Sequence, residues 1–145
     1  MNLPIVSFDR QRSYPPRVTK FTRRFWAALH ERRFETTSCE GCARPSFPPK
    51  PFCPHCWSRN IRWISLSGRG RLYSQTVIHA APAAFRAETP YRVGIVDLHE
   101  GLRIATRIVG DPSPQIDGPV EIVVLNYLDG PLFAARGVAF AGSGV

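Results

Sequence analysis

The sequence lacks long apolar runs. No stretch of its 145 residues approaches the roughly 18 consecutive apolar residues that a membrane-spanning helix needs. The first residues, MNLPIVSFDRQRS, also lack the charged start and long apolar stretch of a secretory signal. Hydrophobic residues still make up 43% of the chain, which is enough for a buried core. We therefore expect a soluble cytoplasmic protein of ordinary domain size.

Acidic residues are scarce in the first half of the chain. Residues 1–71 carry 14 Arg/Lys and 4 Asp/Glu, whereas residues 72–145 carry 5 and 7. This asymmetry is typical of a chain that meets something anionic, such as a nucleic acid, a phosphorylated cofactor or an acidic protein. A solvated basic face without a specific partner would give the same pattern.

Recognisable catalytic groups are also few. None of the histidines falls in a pattern with Ser, Cys or a carboxylate that would make a nucleophile or an acid–base pair; they are His30, His55, His79 and His99. Asp97, His99 and Glu100 cluster at a predicted hairpin and are interpreted as solvated turn residues. The sequence Gly68-Arg69-Gly70-Arg71 is too short for a phosphate-binding loop. We predict no catalytic residue in this chain.

Cysteine is rare but closely spaced. The pattern is Cys39-x2-Cys42-x10-Cys53-x2-Cys56. Each Cys-x2-Cys pair can bring two thiolates to one ion, and two pairs complete a tetrahedron. Cytosolic thiols stay reduced, which favours a metal over disulfides. Four protein ligands leave no position for water, so the pattern predicts one structural zinc ion bound by Cys39, Cys42, Cys53 and Cys56.

Two alternatives concern the second cysteine pair. Cys53-Pro54-His55-Cys56 resembles the tetrapeptide of thiol oxidoreductases, but such motifs begin a helix after a strand, and here a strand-like stretch follows. His55 could replace a cysteine as ligand. Because four thiolates are available, we expect it to be a bystander.

The chain divides into three predicted parts. Residues 1–36 hold an irregular, proline-containing arm and a helix whose apolar stripe is Val18, Phe21, Phe25 and Leu29, with Thr19 as a candidate N-cap. The stripe could pack on its own domain or dock on a partner chain. Residues 37–64 contain the cysteines among five prolines, which forbid a helix. Residues 65–145 are rich in strands.

Five strands are predicted in the last part, and so few fit a small closed barrel better than a sandwich. Gly68 and Gly70 suit a sharp bend beside the first of them. The predicted strands are Gly70–His79, Tyr91–His99, Leu102–Val109, Val120–Tyr127 and Leu132–Phe140. The sequence therefore predicts a mainly β protein with an N-terminal helix, a zinc ribbon and a C-terminal barrel.

The order and spacing of several short motifs are specific, although each is weak alone. They are Phe25-Trp26, Cys39-Glu40-Gly41-Cys42, Phe47-Pro48-Pro49-Lys50, Cys53-Pro54-His55-Cys56, Gly68-Arg69-Gly70-Arg71-Leu72-Tyr73-Ser74, Pro90-Tyr91, Val96-Asp97-Leu98-His99-Glu100-Gly101 and Ile116-Asp117-Gly118. With them the chain resembles the zinc-ribbon and OB-fold proteins found beside thiolase-type enzymes, often called acyl-CoA-associated OB-fold proteins. One departure from the family pattern is Ala43, because many Cys-x2-Cys zinc knuckles have Gly after the second cysteine. The arm 1–17 is not covered by the resemblance.

The resemblance implies a rubredoxin-like zinc ribbon, a five-stranded OB barrel and a non-catalytic subunit of a thiolase-like acyltransferase or an aldolase. It also implies a role with acyl-CoA, whose phosphates arginines suit well. One alternative is a nucleic-acid-binding module in which aromatic side chains stack on bases, although the acidic barrel half argues against it. The candidates are Tyr73, Phe85, Tyr91 and Tyr127. Because aromatic side chains more commonly fill a barrel, we expect these to do so. Another alternative is an independent enzyme acting on acyl-CoA.

Overall fold

The computed structural model describes residues 2–138. Strands and one short helix alternate with loops over this range. Their bounds are β1 Ile5–Ser7, α1 Arg23–His30, β2 Phe34–Cys39, β3 Pro45–Ser46, β4 Ile61–Leu66, β5 Arg69–Ile78, β6 Tyr91–Leu98, β7 Arg103–Val109, β8 Pro119–Tyr127 and β9 Gly130–Gly137. None of the helices in these residues is long and apolar enough to cross a membrane.

Strands β5 to β9 form a closed barrel. The strand order is β5-β6-β7-β9-β8, and β8 pairs back onto β5. Alternate residues of these strands point inward as branched aliphatic side chains, among them Leu72, Val96 and Ile122. The predicted five-stranded OB barrel is therefore confirmed. The last predicted strand ends at Gly137 in the structure, and residues 139 and 140 of that prediction lie outside the described residues.

Two glycines explain how the first barrel strand bends. Gly68 has a φ of +76°, a conformation that residues with a side chain rarely adopt. At Gly70, a Cβ atom would lie 2.2 Å from the backbone oxygen of Asp97 on β6. The register between β5 and β6 shifts at Tyr73, which adds a bulge to the same strand. The predicted bend is thus confirmed, and Gly70 is required by close strand approach.

A second sheet carries the cysteines. It has the antiparallel order β3-β2-β4, with Thr37 paired to both Ser46 and Trp63. All six residues of β2 are buried although four of them are polar. Their polar groups have partners: the Thr37 hydroxyl accepts the Lys50 backbone N–H at 2.9 Å, and Glu35 accepts an Arg33 guanidinium N–H at 2.6 Å. These hydrogen bonds offset the free-energy cost of removing the polar groups of β2 from water.

Helix α1 is shorter than the predicted stripe. It begins at Arg23, whereas Val18 lies before it and is exposed. Thr19 is not the N-cap: its hydroxyl accepts the Thr22 backbone N–H at 3.1 Å, which closes a separate turn ahead of the helix. Phe25 and Leu29 are buried and belong to the main core. Of the two alternatives for the stripe, packing on the chain's own domain therefore holds for its helical part.

The prediction of an irregular N-terminal arm was partly wrong. Residues Ile5–Ser7 form β1, which pairs in parallel with β8 in the region that β5 leaves free. Phe8 then stacks on Tyr127 with ring centroids 4.6 Å apart. Sequence periodicity could not indicate this strand, because three residues are too few to show a pattern and the partner is more than a hundred residues away.

One aromatic cluster joins helix, ribbon and barrel. Phe25 of α1, Phe34 and Phe47 of the ribbon and Phe133 of β9 all contact one another, with ring centroids 5.3–6.0 Å apart. Most of these ring pairs are edge-on or tilted, which is favourable for aromatic contacts. The ribbon and the barrel therefore share one hydrophobic core.

Candidate metal centre

The cysteine side chains converge at one end of the ribbon sheet. The four Sγ atoms lie within 4.8 Å of one another; they belong to Cys39, Cys42, Cys53 and Cys56. The Sγ atoms of Cys39 and Cys56 are 3.5 Å apart, and those of Cys42 and Cys53 are 3.6 Å apart. A disulfide needs about 2.05 Å, whereas a tetrahedral zinc with bonds of about 2.3 Å separates its sulfurs by about 3.8 Å. The spacing fits four metal ligands.

Two turns of the same shape present the thiolates. In the first, the Ala43 backbone N–H donates to the Cys39 carbonyl at 2.9 Å; in the second, the Trp57 N–H donates to the Cys53 carbonyl, also at 2.9 Å. Ala43 and Trp57 both have positive φ, 63° and 65°. The knuckles therefore repeat one geometry, and the departure from glycine noted at Ala43 falls on a residue in the left-handed region.

Backbone N–H groups support the sulfurs. Gly41 donates to the Cys39 Sγ at 3.2 Å and His55 donates to the Cys53 Sγ at 3.4 Å. The Cys42 backbone N–H, outweighing burial, lowers the pKa of Cys39 to about 6. The Ser58 backbone N–H favours the Cys56 thiolate, but the Cys39 sulfur and burial outweigh it and raise the pKa of Cys56 to about 11. Four thiolates cannot coexist without a cation, and a divalent metal would supply it.

The arrangement is chemically closed. Four sulfur donors match the softness of zinc and fill its tetrahedral shell, so the site offers no position for a substrate or a water. Within residues 2–138 it is also the one group of His, Cys, Asp or Glu side chains placed to hold a metal ion. His55 contributes its backbone N–H to this site. The four cysteines are thus positioned to bind a metal.

Surface contacts engage the two carboxylates near the β6–β7 turn, those of Asp97 and Glu100. Asp97 accepts the Arg103 guanidinium N–H at 2.6 Å, and this bond is the main reason that the pKa of Asp97 is lowered. Glu100 accepts the backbone N–H of Ser67 at 2.8 Å. Glu100 lies in the turn as interpreted and holds Ser67 in the connection between ribbon and barrel. Asp97 instead belongs to β6 and pairs across to β7, so its interpretation as a turn residue was wrong.

The four aromatic candidates for base stacking lie outside the main barrel core. Tyr127 is buried in a second, outer cluster, and Phe85 and Tyr91 are half-buried beside Arg107. Tyr73 is 54% exposed, with the Arg103 guanidinium 3.8 Å from its ring centroid. The expectation that these rings fill the barrel was therefore wrong, because aliphatic residues occupy its interior.

Sequence reasoning missed an aromatic surface on the second knuckle. Phe52 and Trp57 stack with ring centroids 5.5 Å apart and planes 9° from parallel, and Trp57 is 73% exposed. The only hint in the sequence was the large aromatic residue Trp57 directly after the predicted ligand Cys56. We call Phe52 and Trp57 the ribbon tip. The ribbon segment also carries four basic residues that make no ion pair in the described part of the chain: Arg44, Lys50, Arg59 and Arg62.

A four-cysteine ribbon joined to a five-stranded OB barrel defines the class of protein. Family models agree with this division: residues 26–62 match the ChsH2 rubredoxin-like zinc ribbon domain, and residues 63–125 match the ChsH2 C-terminal OB-fold domain. The chain belongs to this zinc-ribbon and OB-fold family, also known as DUF35.

Relatives in the family are parts of acyl-CoA enzymes or scaffolds. A probable enoyl-CoA hydratase alpha subunit of Thermomonospora curvata is 38% identical over 72% of this chain, which spans 33% of that protein. A DUF35 domain-containing scaffold protein of Methanothermobacter thermautotrophicus is 37% identical, over 70% of this chain and 80% of its own length. The benzoylsuccinyl-CoA thiolase subunit BbsA of Thauera aromatica is 38% identical, over 59% of each chain.

A solved structure has the same architecture. A chain of the Ltp2-ChsH2(DUF35) aldolase superposes with a TM-score of 0.72 at 32% identity, covering 86% of this chain and all of that one. The whole of that solved chain is therefore similar in structure to most of this one.

Proposed function

We propose that this protein is a non-catalytic accessory subunit of a thiolase-like acyltransferase or an aldolase that acts on acyl-CoA thioesters. The observation that carries the proposal is the similarity to a whole chain of a two-protein aldolase. Two further observations support the proposal. The metal site is closed, and the carboxylates of Asp97 and Glu100 are engaged in surface contacts. A rigid unit without an open reactive site is suited to assembling a complex.

The metal in this proposal is one zinc ion held by Cys39, Cys42, Cys53 and Cys56. Sulfur spacings of 3.5 and 3.6 Å support a tetrahedral site. The zinc would fasten the two knuckles and take no part in chemistry, because four thiolates exclude a fifth ligand of catalytic use.

The ribbon tip is the surface best suited to the partner subunit. Trp and Arg are enriched where protein interfaces gain most of their binding energy, and Phe52 and Trp57 present exposed, stacked rings in a segment that also carries basic residues. The basic side chains would also suit the phosphates of CoA held between the subunits. We therefore place acyl-CoA contact, within this proposal, on the basic ribbon half.

Co-expression tests the complex. The chain is produced with a thiolase-like or aldolase-like protein encoded next to it, and the mixture is run on gel filtration in mild salt. We expect one joint peak, with Trp57→Ala weakening co-elution. Tyr73→Ala, at another exposed aromatic residue that lies on the barrel, serves as the control. Two separate peaks for the wild-type pair would contradict the proposal.

A nucleic-acid-binding module is the second candidate. The exposed Phe52–Trp57 stack among unpaired basic residues favours it, because stacking and phosphate contacts are the usual means of binding single strands. Titration with a labelled single strand at two salt concentrations distinguishes the candidates. Binding that weakens steeply with salt would support a nucleic-acid-binding function. The absence of binding would rule that function out.

A further inference from the structure

A small cavity lies on the outside of the barrel, under the N-terminal arm. Its volume is about 150 Å³, and it lies between the arm, α1, the 3-10 helix Ala83–Glu88 and strands β7 to β9. One side is open to solvent, where the exposed Tyr14 of the arm forms the rim. Its apolar wall is made mostly of aromatic rings: Trp26, Phe85, Leu125, Tyr127, Leu132 and Phe133. This wall contributes nothing to the metal centre or to the ribbon tip.

Several of the wall residues are incompletely covered. Trp26, Phe85 and Phe133 are each only half-buried although they turn toward the same space. Large apolar side chains usually bury their surface against each other, so partial cover around a shared cavity indicates room for something else.

The cavity has one polar end. The carboxylate of Glu88 pairs there with the guanidinium of Arg107, and both lie in the wall with Ser13 of the arm. The Glu88 side chain is 9% exposed. Although burial opposes its ionisation, the hydrogen bond from Ser13 and the pairing with Arg107 lower the pKa of Glu88. Glu88 is therefore an ionised acceptor, and a carboxylate has lone pairs to spare for another donor.

Size limits what the cavity can hold. An apolar protein cavity of about 150 Å³ is known to accept a benzene molecule. A ring of six carbons therefore fits this space, whereas a nucleotide or a steroid would extend out of it. A negatively charged ligand would face Glu88, and a positively charged one would compete with Arg107, which already pairs with that carboxylate. We therefore expect a neutral ligand whose hydroxyl group donates to Glu88.

We propose that this cavity binds a neutral six-membered aromatic ring bearing a hydroxyl group, for which phenol is the simplest probe. Aromatic walls favour an aromatic ring over an aliphatic one through edge and face contacts. The Glu88 carboxylate at the polar end fixes the orientation of the hydroxyl. This site does not depend on the proposed partner or on acyl-CoA, since all of its walls come from this chain.

The test is a titration of the full-length, isotope-labelled, zinc-loaded chain with phenol, followed by NMR at the Trp26 indole N–H. We expect a saturable shift with a dissociation constant on the order of 1 mM, as a ligand of so few atoms can reach. Benzene and cyclohexanol should bind at least about 5-fold more weakly, because each lacks one of the two recognised features.

Two filling variants and one control complete the test. Leu132→Phe and Ser13→Leu each add bulk to the cavity wall and should weaken phenol binding at least about 10-fold, since a rigid ring that fills the space cannot move aside for it. Leu128→Phe adds the same bulk at a residue that is 68% exposed and outside the cavity, and it should leave binding unchanged. Folding of each variant is checked by its retained zinc and its amide spectrum.

Three results would overturn the proposal. They are the absence of a saturable Trp26 shift up to about 20 mM phenol, equal binding of cyclohexanol or benzene, and unchanged phenol affinity in a folded filling variant. A shift of the Trp57 indole in place of Trp26 would mean that phenol only coats the exposed ribbon tip, which also counts against the cavity.

Discussion

The ribbon and the barrel bury different kinds of side chain. Leu72, Val96 and Ile122 are typical of the barrel interior, which is aliphatic and almost free of polar atoms. The buried polar residues lie in the ribbon sheet, with Thr106 of the barrel as the exception: Glu35, Thr36, Thr37, Ser38 and Ser46. A barrel packed in this way can stabilise itself by the hydrophobic effect, whereas the ribbon needs hydrogen bonds and a metal.

Two phenylalanines link these unlike regions. The side chains of Phe34 and Phe47 point away from the ribbon sheet. They pack on Phe25 of α1 and Phe133 of β9. The ribbon therefore contributes its few large apolar residues to the barrel's core and keeps none for an independent one. We therefore expect metal loss to destabilise the ribbon first. The barrel would be affected only through its contacts in the aromatic cluster.

The largest expected effect is loss of a metal ligand. Cys53→Ser should abolish zinc binding and unfold the ribbon, because the binding energy of a structural zinc is folding energy and amounts to several kcal/mol. Metal analysis and amide exchange measure the two outcomes. His55→Ala, a change in the same knuckle at an exposed residue that donates only its backbone N–H, is the matched control. Stoichiometric zinc in the Cys53→Ser protein would show the ligand assignment to be wrong.

Disrupting the aromatic cluster that links ribbon and barrel is expected to destabilise the protein nearly as much. Phe34→Ala removes a ring that is 1% exposed and touches the three other rings, and should cost about 3–5 kcal/mol of unfolding free energy. Urea unfolding followed at ribbon and barrel probes measures it. Phe52→Ala, at a 37% exposed ring, should cost below about 1 kcal/mol. A destabilised ribbon beside an unaffected barrel would mean that the two do not share a core.

A smaller effect is expected at the barrel's outer polar pair. The pKa of Glu88 is lowered from its ordinary 4.5, so its contribution is present above that value and is lost as the pH falls below it. Glu88→Gln should cost about 1–2 kcal/mol at pH 7, less than a fully buried pair because Arg107 is partly exposed. Urea midpoints for wild type and variant should converge as the pH falls below the lowered pKa of Glu88. A constant difference across this range would rule out the ion pair as its source.

The smallest effect is expected to be stabilising. Ala43→Gly relieves a left-handed backbone with a φ of 63°, and after allowance for the entropy of glycine the gain is up to about 1 kcal/mol. Thermal unfolding with zinc bound measures it. Ala27→Gly, at an exposed helical position, should instead lose about 1 kcal/mol. Destabilisation by Ala43→Gly would mean that the first knuckle is not strained.

Much of the barrel and the metal site could be predicted from sequence, because both follow local rules. Alternation located β6 and β7 to within one residue at their ends, and the cysteine spacing indicated four converging thiolates. The strand β1 and the meeting of Phe34 with Phe133 depend on partners far along the chain, which no local pattern reveals. The Phe52–Trp57 stack was missed because an aromatic pair between prolines and cysteines has no periodic signature.

The most direct test of the contrast between ribbon and barrel is amide hydrogen exchange with and without a zinc chelator. We predict that metal removal abolishes protection at Thr37 and Trp63 of the ribbon sheet, while Val96 and Ile122 of the barrel keep most of theirs. Equal loss of protection in both regions, or a ribbon that stays protected without metal, would contradict this account.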